Sequence, residues 1–303
     1  MKINHWDDWS KLYMDSDYFK PIIEKILLRH QLPLDGTITA QGFSTNAVFK
    51  INDIIVKIFA PKKSGANTPH DYYVEVESIQ ALSHLIDTPK ILGNGLIKSK
   101  YNFYYVVTSF IDGLIARDYF KTLSIEERFT FGKKIRHLTN QIHLSKPSLR
   151  LKPITKRYLI HNKLNSYHPS FKEEIFTFLD HYDTLEYYYI HGDITEDNII
   201  ITPKEKIVLL DYADSGVGPI AYEYPPIMIG LFDLDKQAFL GFIGNDDVND
   251  HIECLFTGML IHEYAGDFIH IFLKKIGVKR EDLRTLNQLK TALYAYYKNN
   301  VHR

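Results

Sequence analysis

Hydrophobic positions along the chain change their period twice. Between residues 15 and 31, Phe19, Ile22, Ile23, Ile26 and Leu27 recur at helical spacing with Pro21 near the start, which predicts an amphipathic helix. Strand patterns follow. Thr37-Ile38-Thr39-Ala40 and Ala47-Val48-Phe49-Lys50-Ile51 flank Gln41-Gly42-Phe43-Ser44-Thr45-Asn46, and Asn52-Asp53 turns the chain into Ile54-Ile55-Val56-Lys57-Ile58-Phe59. A helix over about 71–85 comes next, then β-rich segments over 91–97 and 102–110, with Gly113 as a linker. From Ser124 onward the helical period dominates, opened by Ser124-Ile125-Glu126-Glu127, whose hydroxyl and carboxylate are placed to cap first-turn amides. The expectation is an α+β chain. Residues 1–110 form a small antiparallel sheet with one main helix, and residues 111–303 form a larger, mainly helical part.

One stretch of this second part reads differently. Ile199-Ile200-Ile201 and Val208-Leu209-Leu210 are short apolar strands joined through Thr202-Pro203-Lys204-Glu205-Lys206, a hairpin whose antiparallel pairing brings Asn198 and Asp211 to the same end. Just before it stands His191-Gly192-Asp193-Ile194-Thr195-Glu196-Asp197-Asn198. A carboxylate, then a carboxamide five residues later, then a second carboxylate thirteen residues beyond is the spacing used for phosphoryl transfer from a nucleotide. A phosphoryl group in flight spreads negative charge over its oxygens, so catalysis is mostly positioning and neutralisation by metal ions. Asp193 is expected to accept the proton of the attacking hydroxyl. Asn198 and Asp211 are expected to hold Mg2+, which prefers hard oxygen ligands.

The first part carries matching candidates. Gly42 and Ser44 lie between two strands, where a small residue and a hydroxyl let backbone amides approach phosphate oxygens. Val56-Lys57-Ile58 puts one ammonium on the face opposite its apolar neighbours. A glutamate on the following helix could pair with it. Glu75 and Glu77 differ by about 200° around a helix, so only one can face Lys57. Glu77 is assigned because it shares a side with Val74, Gln80 and Ala81, and Glu75, which falls with Tyr72 and Ile79, is its rival.

Bulk properties narrow the function classes. With a net charge of −1, mass electrostatics give no case for nucleic-acid or membrane binding. Cys254 is the only cysteine, which excludes an internal disulfide and a cysteine-based zinc site. The 14 histidines include no His-Glu-x-x-His, and no Gly-x-Ser-x-Gly elbow supports a hydrolase triad. The start of the chain lacks a secretory pattern and no apolar run approaches the roughly 20 residues of a membrane span, so a cytoplasmic location is expected. Oligomeric state is not encoded in any of these features.

In this order of parts the chain resembles the aminoglycoside phosphotransferase family, small-molecule kinases with a two-lobed, protein-kinase-like fold, over almost its full length. Gly42-Phe43-Ser44 is similar to that family's nucleotide loop, Val56-Lys57 to its phosphate lysine, and Val74-Glu75-Val76-Glu77 to its helix glutamate. Val106-Val107-Thr108-Ser109-Phe110-Ile111-Asp112-Gly113 is similar to the hinge, and the resemblance implies that the backbone of Ser109 and Ile111 hydrogen-bonds a purine. His191-Gly192-Asp193 to Asn198 is similar to the catalytic loop, with Gly in place of the protein-kinase Arg, and Leu210-Asp211-Tyr212 occupies the metal-aspartate position. After Asp211 no Phe-Gly and no long activation segment follow, which favours a small-molecule acceptor over a protein. ATP or GTP is the implied donor.

The acceptor is read from charge. Residues 193–267 hold fifteen acids against three lysines, a balance that suits a cationic alcohol such as an aminoglycoside. Glu223, Asp233, Glu263 and Asp267 are assigned to it. The rivals are a metabolic kinase of the same architecture, acting on choline, homoserine, a hydroxylated amino acid or a methylthio sugar, and a nucleotide-binding module without turnover.

Overall fold

The computed structural model describes residues 2–42, 45–145, 151, 153–154, 162–183 and 187–298. The chain opens with α1 (Trp6–Ser10), α2 (Ser16–Arg29), β1 (Thr39–Ala40), β2 (Ala47–Ile51), β3 (Ile54–Ile58), α3 (His70–Leu82), β4 (Ile91–Lys98) and β5 (Asn102–Ser109). It continues through β6 (Leu114–Ile115), α4 (Ala116–Thr122), α5 (Ile125–His143), α6 (Pro169–His181), β7 (Tyr188–Ile190), β8 (Ile199–Ile201), β9 (Ile207–Leu209) and β10 (Gly216–Gly218). It closes on α7 (Lys236–Ile243), α8 (Val248–Ile261), α9 (Ala265–Lys275) and α10 (Leu286–Lys298). Contacts group these into two compact units, Met1–Gly113 with Ile200–Asp214, and Leu114–Ile199 with Ser215–Arg303.

The first unit is built on a five-stranded antiparallel sheet in the order β1-β2-β3-β5-β4. Alternation along its strands separates two faces. Phe49, Val56, Ile58, Phe103, Tyr105 and Val107 point to one side, where they bury against Trp9, Phe19, Ile22, Ile23 and Ile26 of α1 and α2. On the other side Val106 and Phe59 pack with Tyr72 and Val76 of α3. The sheet is therefore covered by a helix on each face, α2 from the segment 15–31 and α3 from the segment 71–85, both of which the pattern predicted as helices. Asp15 starts α2 by accepting a hydrogen bond from the Tyr18 amide at 3.0 Å.

The hairpin of β8 and β9 is far from β1–β5 in sequence, yet residues 200–214 belong with them. The Asp87 carboxylate accepts from Lys206 Nζ at 2.8 Å, and the Asp87 carbonyl accepts from the Leu209 amide at 3.4 Å. Connections at its far end are made by Asp211 and Tyr212, described below.

The second unit is mainly helical, and its strands include a two-stranded antiparallel pair, β7 with β10, and the short β6. Ser124 and Glu127 cap α5 reciprocally: the Ser124 hydroxyl accepts from the Glu127 amide at 3.3 Å and the Glu127 carboxylate from the Ser124 amide at 2.7 Å. Behind the cap, Phe131, Ile135, Leu138 and Ile142 form the buried stripe of α5. The α+β class, the five strands of the first sheet and the dominance of helix after Ser124 are as the pattern predicted. No helix among the described residues is long and apolar enough to cross a membrane.

Candidate functional site

In the first unit three charged groups meet. Lys57 stands on β3 opposite Val48 and Val106, on the face covered by α3. Its ammonium lies 3.0 Å from Glu75 Oε2 and 2.8 Å from Asp211 Oδ1. The lysine and Glu75 are almost fully buried, whereas the Asp211 side chain keeps about a third of its surface exposed, at 35%. Glu75 Oε2 also accepts from the Tyr212 amide at 2.8 Å, so one carboxylate ties the end of the hairpin to α3. Asp211 takes φ +54°, a left-handed conformation that Asp tolerates better than most residues. Burial pulls the Lys57 pKa down, but the charges of Asp211 and Glu75 outweigh it and leave it raised. Burial raises the Glu75 carboxyl, against the pull of Lys57. One cation between two carboxylates leaves a net negative charge, and a divalent cation at the open side of Asp211 fits that excess.

The ion pair corrects the assignment of Glu77. Glu75 makes the contact, and it belongs to the buried stripe Tyr72, Glu75, Ile79 and Leu82 of α3. The side that favoured Glu77 carries Gln80, which is exposed. The apolar neighbours of Glu75 were the true indicator of the inward face.

In the loop assigned to the nucleotide Gly42 has φ +53°, with no atom of the described residues within 4 Å of where a Cβ would stand, so glycine is favoured there by backbone conformation. Phe43 and Ser44 lie outside the described residues. At the hinge the Ser109 amide donates to the Lys90 carbonyl at 2.9 Å, and the Ser109 hydroxyl accepts from the Lys90 amide at 3.0 Å. The Ser109 amide is thus committed within the unit, and any purine contact from this residue falls to its carbonyl.

The second unit holds the residues that the sequence assigns to the catalytic loop. Gly192 adopts φ +85°, which accounts for glycine where a protein kinase carries arginine. Three groups fix the backbone leading to Asp193. The Gly192 amide donates to Glu223 Oε1 at 2.9 Å, the Gly192 carbonyl is 3.3 Å from His262 Nε2, and the Asp193 amide donates to His191 Nδ1 at 3.2 Å. Asn198 Nδ2 donates to both the Asp193 carbonyl at 2.9 Å and Asp193 Oδ2 at 2.7 Å. With its amide hydrogens spent there, Asn198 has its Oδ1 left as the atom suited to a hard cation. Among the described residues no group of three or more His, Cys, Asp or Glu side chains is gathered for a metal.

The residues assigned to the acceptor do not form one cluster. Glu223 is 1% exposed and is used on the Gly192 amide, so it supports the backbone entering Asp193 and is out of reach of an acceptor. Asp233 is a surface carboxylate paired with Lys275 at 3.1 Å. Glu263 and Asp267 are half-buried beside the turn from α8 to α9, with the Glu263 amide 3.4 Å from the Tyr222 hydroxyl. A count of acids along the chain carries no information on which of them converge.

Sequence reasoning missed His262 and His143. Glu223 sits in a turn, Ile220–Glu223, that approaches α8 at a glycine: a Cβ on Gly258 would stand 2.1 Å from the Ala221 carbonyl. Burial pushes the Glu223 carboxyl up to about 7, opposed by the hydrogen bonds from Gly192 and His191 and assisted by the charge of Asp193. Its second oxygen lies 3.9 Å from His143 Nε2, and burial, with the Arg136 charge, pulls His143 down to about 4.

Because folding raises the Glu223 pKa from 4.5 to about 7, its contribution to stability is full below the lower value and is lost as pH rises through the higher one. Glu223→Gln keeps an acceptor for Gly192 and removes this dependence. Relative to wild type it should gain roughly 3 kcal/mol between about pH 4.5 and about pH 8. Urea unfolding of both proteins across that range checks it, and parallel curves would discard the buried-acid assignment.

Comparison with known proteins follows the geometry. The family model of the APH phosphotransferase enzyme family matches residues 36–234. No curated protein matches the sequence. Among solved structures, the GDP and kanamycin complex of APH(2'')-IIia is similar with TM-score 0.61 and 12% identity, over 92% of this chain and 99% of that one. The streptomycin-ATP-APH(2'')-IIa ternary complex gives 0.59 and 13%, over 89% and 97%. Choline kinase LicA from Streptococcus pneumoniae gives 0.56 and 16%, over 92% and 99%. At these identities the likeness is one of fold, the protein-kinase-like α+β architecture.

Proposed function

The chain belongs to the APH phosphotransferase enzyme family, and from that membership we propose that it transfers the γ-phosphoryl group of ATP or GTP to a hydroxyl of a small cationic molecule, an aminoglycoside being the first choice. The observation that carries this reading is the ammonium of Lys57 held between Glu75 and Asp211, residues brought together from 57, 75 and 211 in the sequence. In that role Lys57 meets the nucleotide's phosphates and Glu75 fixes its direction. Asp211 and Asn198 are the residues that would hold Mg2+, which when bound neutralises charge on the phosphate oxygens. Asp193 takes the proton of the attacking hydroxyl, and the hydrogen bond from Asn198 aims its carboxylate.

Similar structures include complexes of aminoglycoside phosphotransferases with kanamycin or streptomycin, which supports a cationic acceptor here. A choline-type acceptor is the second reading. Next to the buried stack of Tyr222 and His262, Tyr264 lies 5.8 Å from His262 and is 40% exposed, and an exposed aromatic face attracts quaternary ammonium groups. Release of ADP or GDP, measured with Mg2+ over a panel of aminoglycosides, choline and other small amino alcohols, separates the two. Nucleotide binding with no turnover on any acceptor would leave the binding-module rival standing instead.

Asp211→Ala provides the metal test. It should weaken nucleotide binding by about tenfold or more in the presence of Mg2+ while leaving metal-free binding close to wild type, since a charged contact is worth roughly 1.5–3 kcal/mol. Calorimetric titrations with and without chelator measure it, and an equal loss in both would assign Asp211 to the fold alone.

A further inference from the structure

His262 closes α8 at its C-terminal cap and is 1% exposed. Its two ring nitrogens are distinguished by their partners. The Tyr264 amide donates to Nδ1 at 3.1 Å, so Nδ1 carries a lone pair and the ring proton resides on Nε2. That Nε2–H faces the Gly192 carbonyl at 3.3 Å, a residue 70 positions away. Tyr222 stacks on the ring with centroids 4.1 Å apart and planes at 25°, and Phe268 meets it edge-on at 5.0 Å. The ring therefore has a set tautomer and a set plane.

The Gly192 carbonyl and the Asp193 amide belong to one peptide group, the one that enters Asp193. His262 holds its oxygen and His191 Nδ1 accepts from its N–H at 3.2 Å. A glycine at φ +85° has little steric resistance of its own to rotation, so the peptide's orientation depends on these partners. The turn Ile220–Glu223 supplies both the ring that stacks on His262 and the carboxylate that accepts from the Gly192 amide.

We infer that His262 is a positioning residue for phosphoryl transfer, fixing through its Nε2–H the plane of the Gly192–Asp193 peptide and thereby the aim of the Asp193 carboxylate. This rests on Asp193 being the base. It assigns a function to a buried histidine that no motif marks.

Two near-isosteric variants separate positioning from packing. In His262→Gln the side-chain amide can occupy the place of Nε2 and still donate to Gly192. In His262→Asn the amide oxygen can still accept from Tyr264 but nothing reaches Gly192. Turnover, KM for nucleotide and acceptor, thermal midpoint, and hydrogen exchange at the Asp193 amide are measured for both. His262→Asn should lower kcat about five- to tenfold, the worth of one hydrogen bond, with KM unchanged and Asp193 exchange faster, while His262→Gln stays within twofold of wild type. In an Asp193→Asn background His262→Asn should add no further loss, because it acts through that residue. Equal kcat in the two variants, a loss that follows the thermal midpoint, or faster exchange at undiminished kcat would each overturn the inference. Full turnover of Asp193→Asn alone would instead remove the base assignment, and is read in a separate protein.

Discussion

Asp193→Asn should lower kcat by a factor on the order of 10² to 10⁴, the usual worth of general-base assistance, and leave the equilibrium affinity for nucleotide within about twofold of wild type. The geometry gives the substitution little other route to act. Asp193 Oδ2 accepts from Asn198 Nδ2 at 2.7 Å, and the asparagine oxygen can replace it. The backbone beneath stays held by Glu223, His191 and His262. What disappears is the negative charge and the capacity to take a proton. The deficit belongs in kcat, and corresponds to about 3–5 kcal/mol of transition-state stabilisation. Single-turnover measurements with saturating donor and acceptor isolate the chemical step from product release. A variant that turns over at the wild-type rate would strip Asp193 of its role, and with it the reading of the His-Gly-Asp segment as a catalytic loop.

How much of this was legible in the sequence depends on whether a feature is local. The strands β2 to β5 and the helices α2, α3 and α5 carry enough residues for their period to show, and the capping box at Ser124 and Glu127 is a four-residue signal complete in itself. β7 and β10 have three residues each, and β10 is Gly-Val-Gly, so neither offers a period to read. The choice between Glu75 and Glu77 failed for a different reason. Glu77 was chosen for sharing a side with Val74, Gln80 and Ala81, yet the buried ion pair uses the glutamate on the side of Tyr72 and Ile79. Glu223 was readable as acidic but not as buried, because its partner is a backbone amide 31 residues earlier. Asp233 was drawn into the acceptor set by its neighbours in sequence, whereas its partner in space is Lys275. His262 sits at the end of an apolar helix, where a histidine carries no distinguishing pattern, and only its tautomer-setting contacts single it out.

Lys57→Met should destabilise the protein by about 3–5 kcal/mol at neutral pH, the cost of breaking a buried ion pair by removing one partner, with the one-third exposure of Asp211 favouring the lower end. The sign of its pH dependence follows from what remains. Without the ammonium, Glu75 is a buried carboxylate beside Asp211, with the Tyr212 amide as a hydrogen-bond donor, and its pKa rises further above the unfolded value. A raised acid contributes stability that is present at low pH and lost as pH increases, so the deficit of Lys57→Met should shrink on acidification. Denaturant unfolding at several pH values tests this. The double variant Lys57→Met/Glu75→Gln then separates architecture from chemistry. It removes both the cation and the charge left stranded by its loss, so it should recover most of the stability, since a neutral pair of similar volume often replaces a buried ion pair without cost. It should recover none of the turnover, because no cation faces the nucleotide's phosphates. If the double variant regained both, the ammonium on β3 would serve only to fasten Glu75 and the end of the hairpin, and the phosphate role would have to be sought elsewhere.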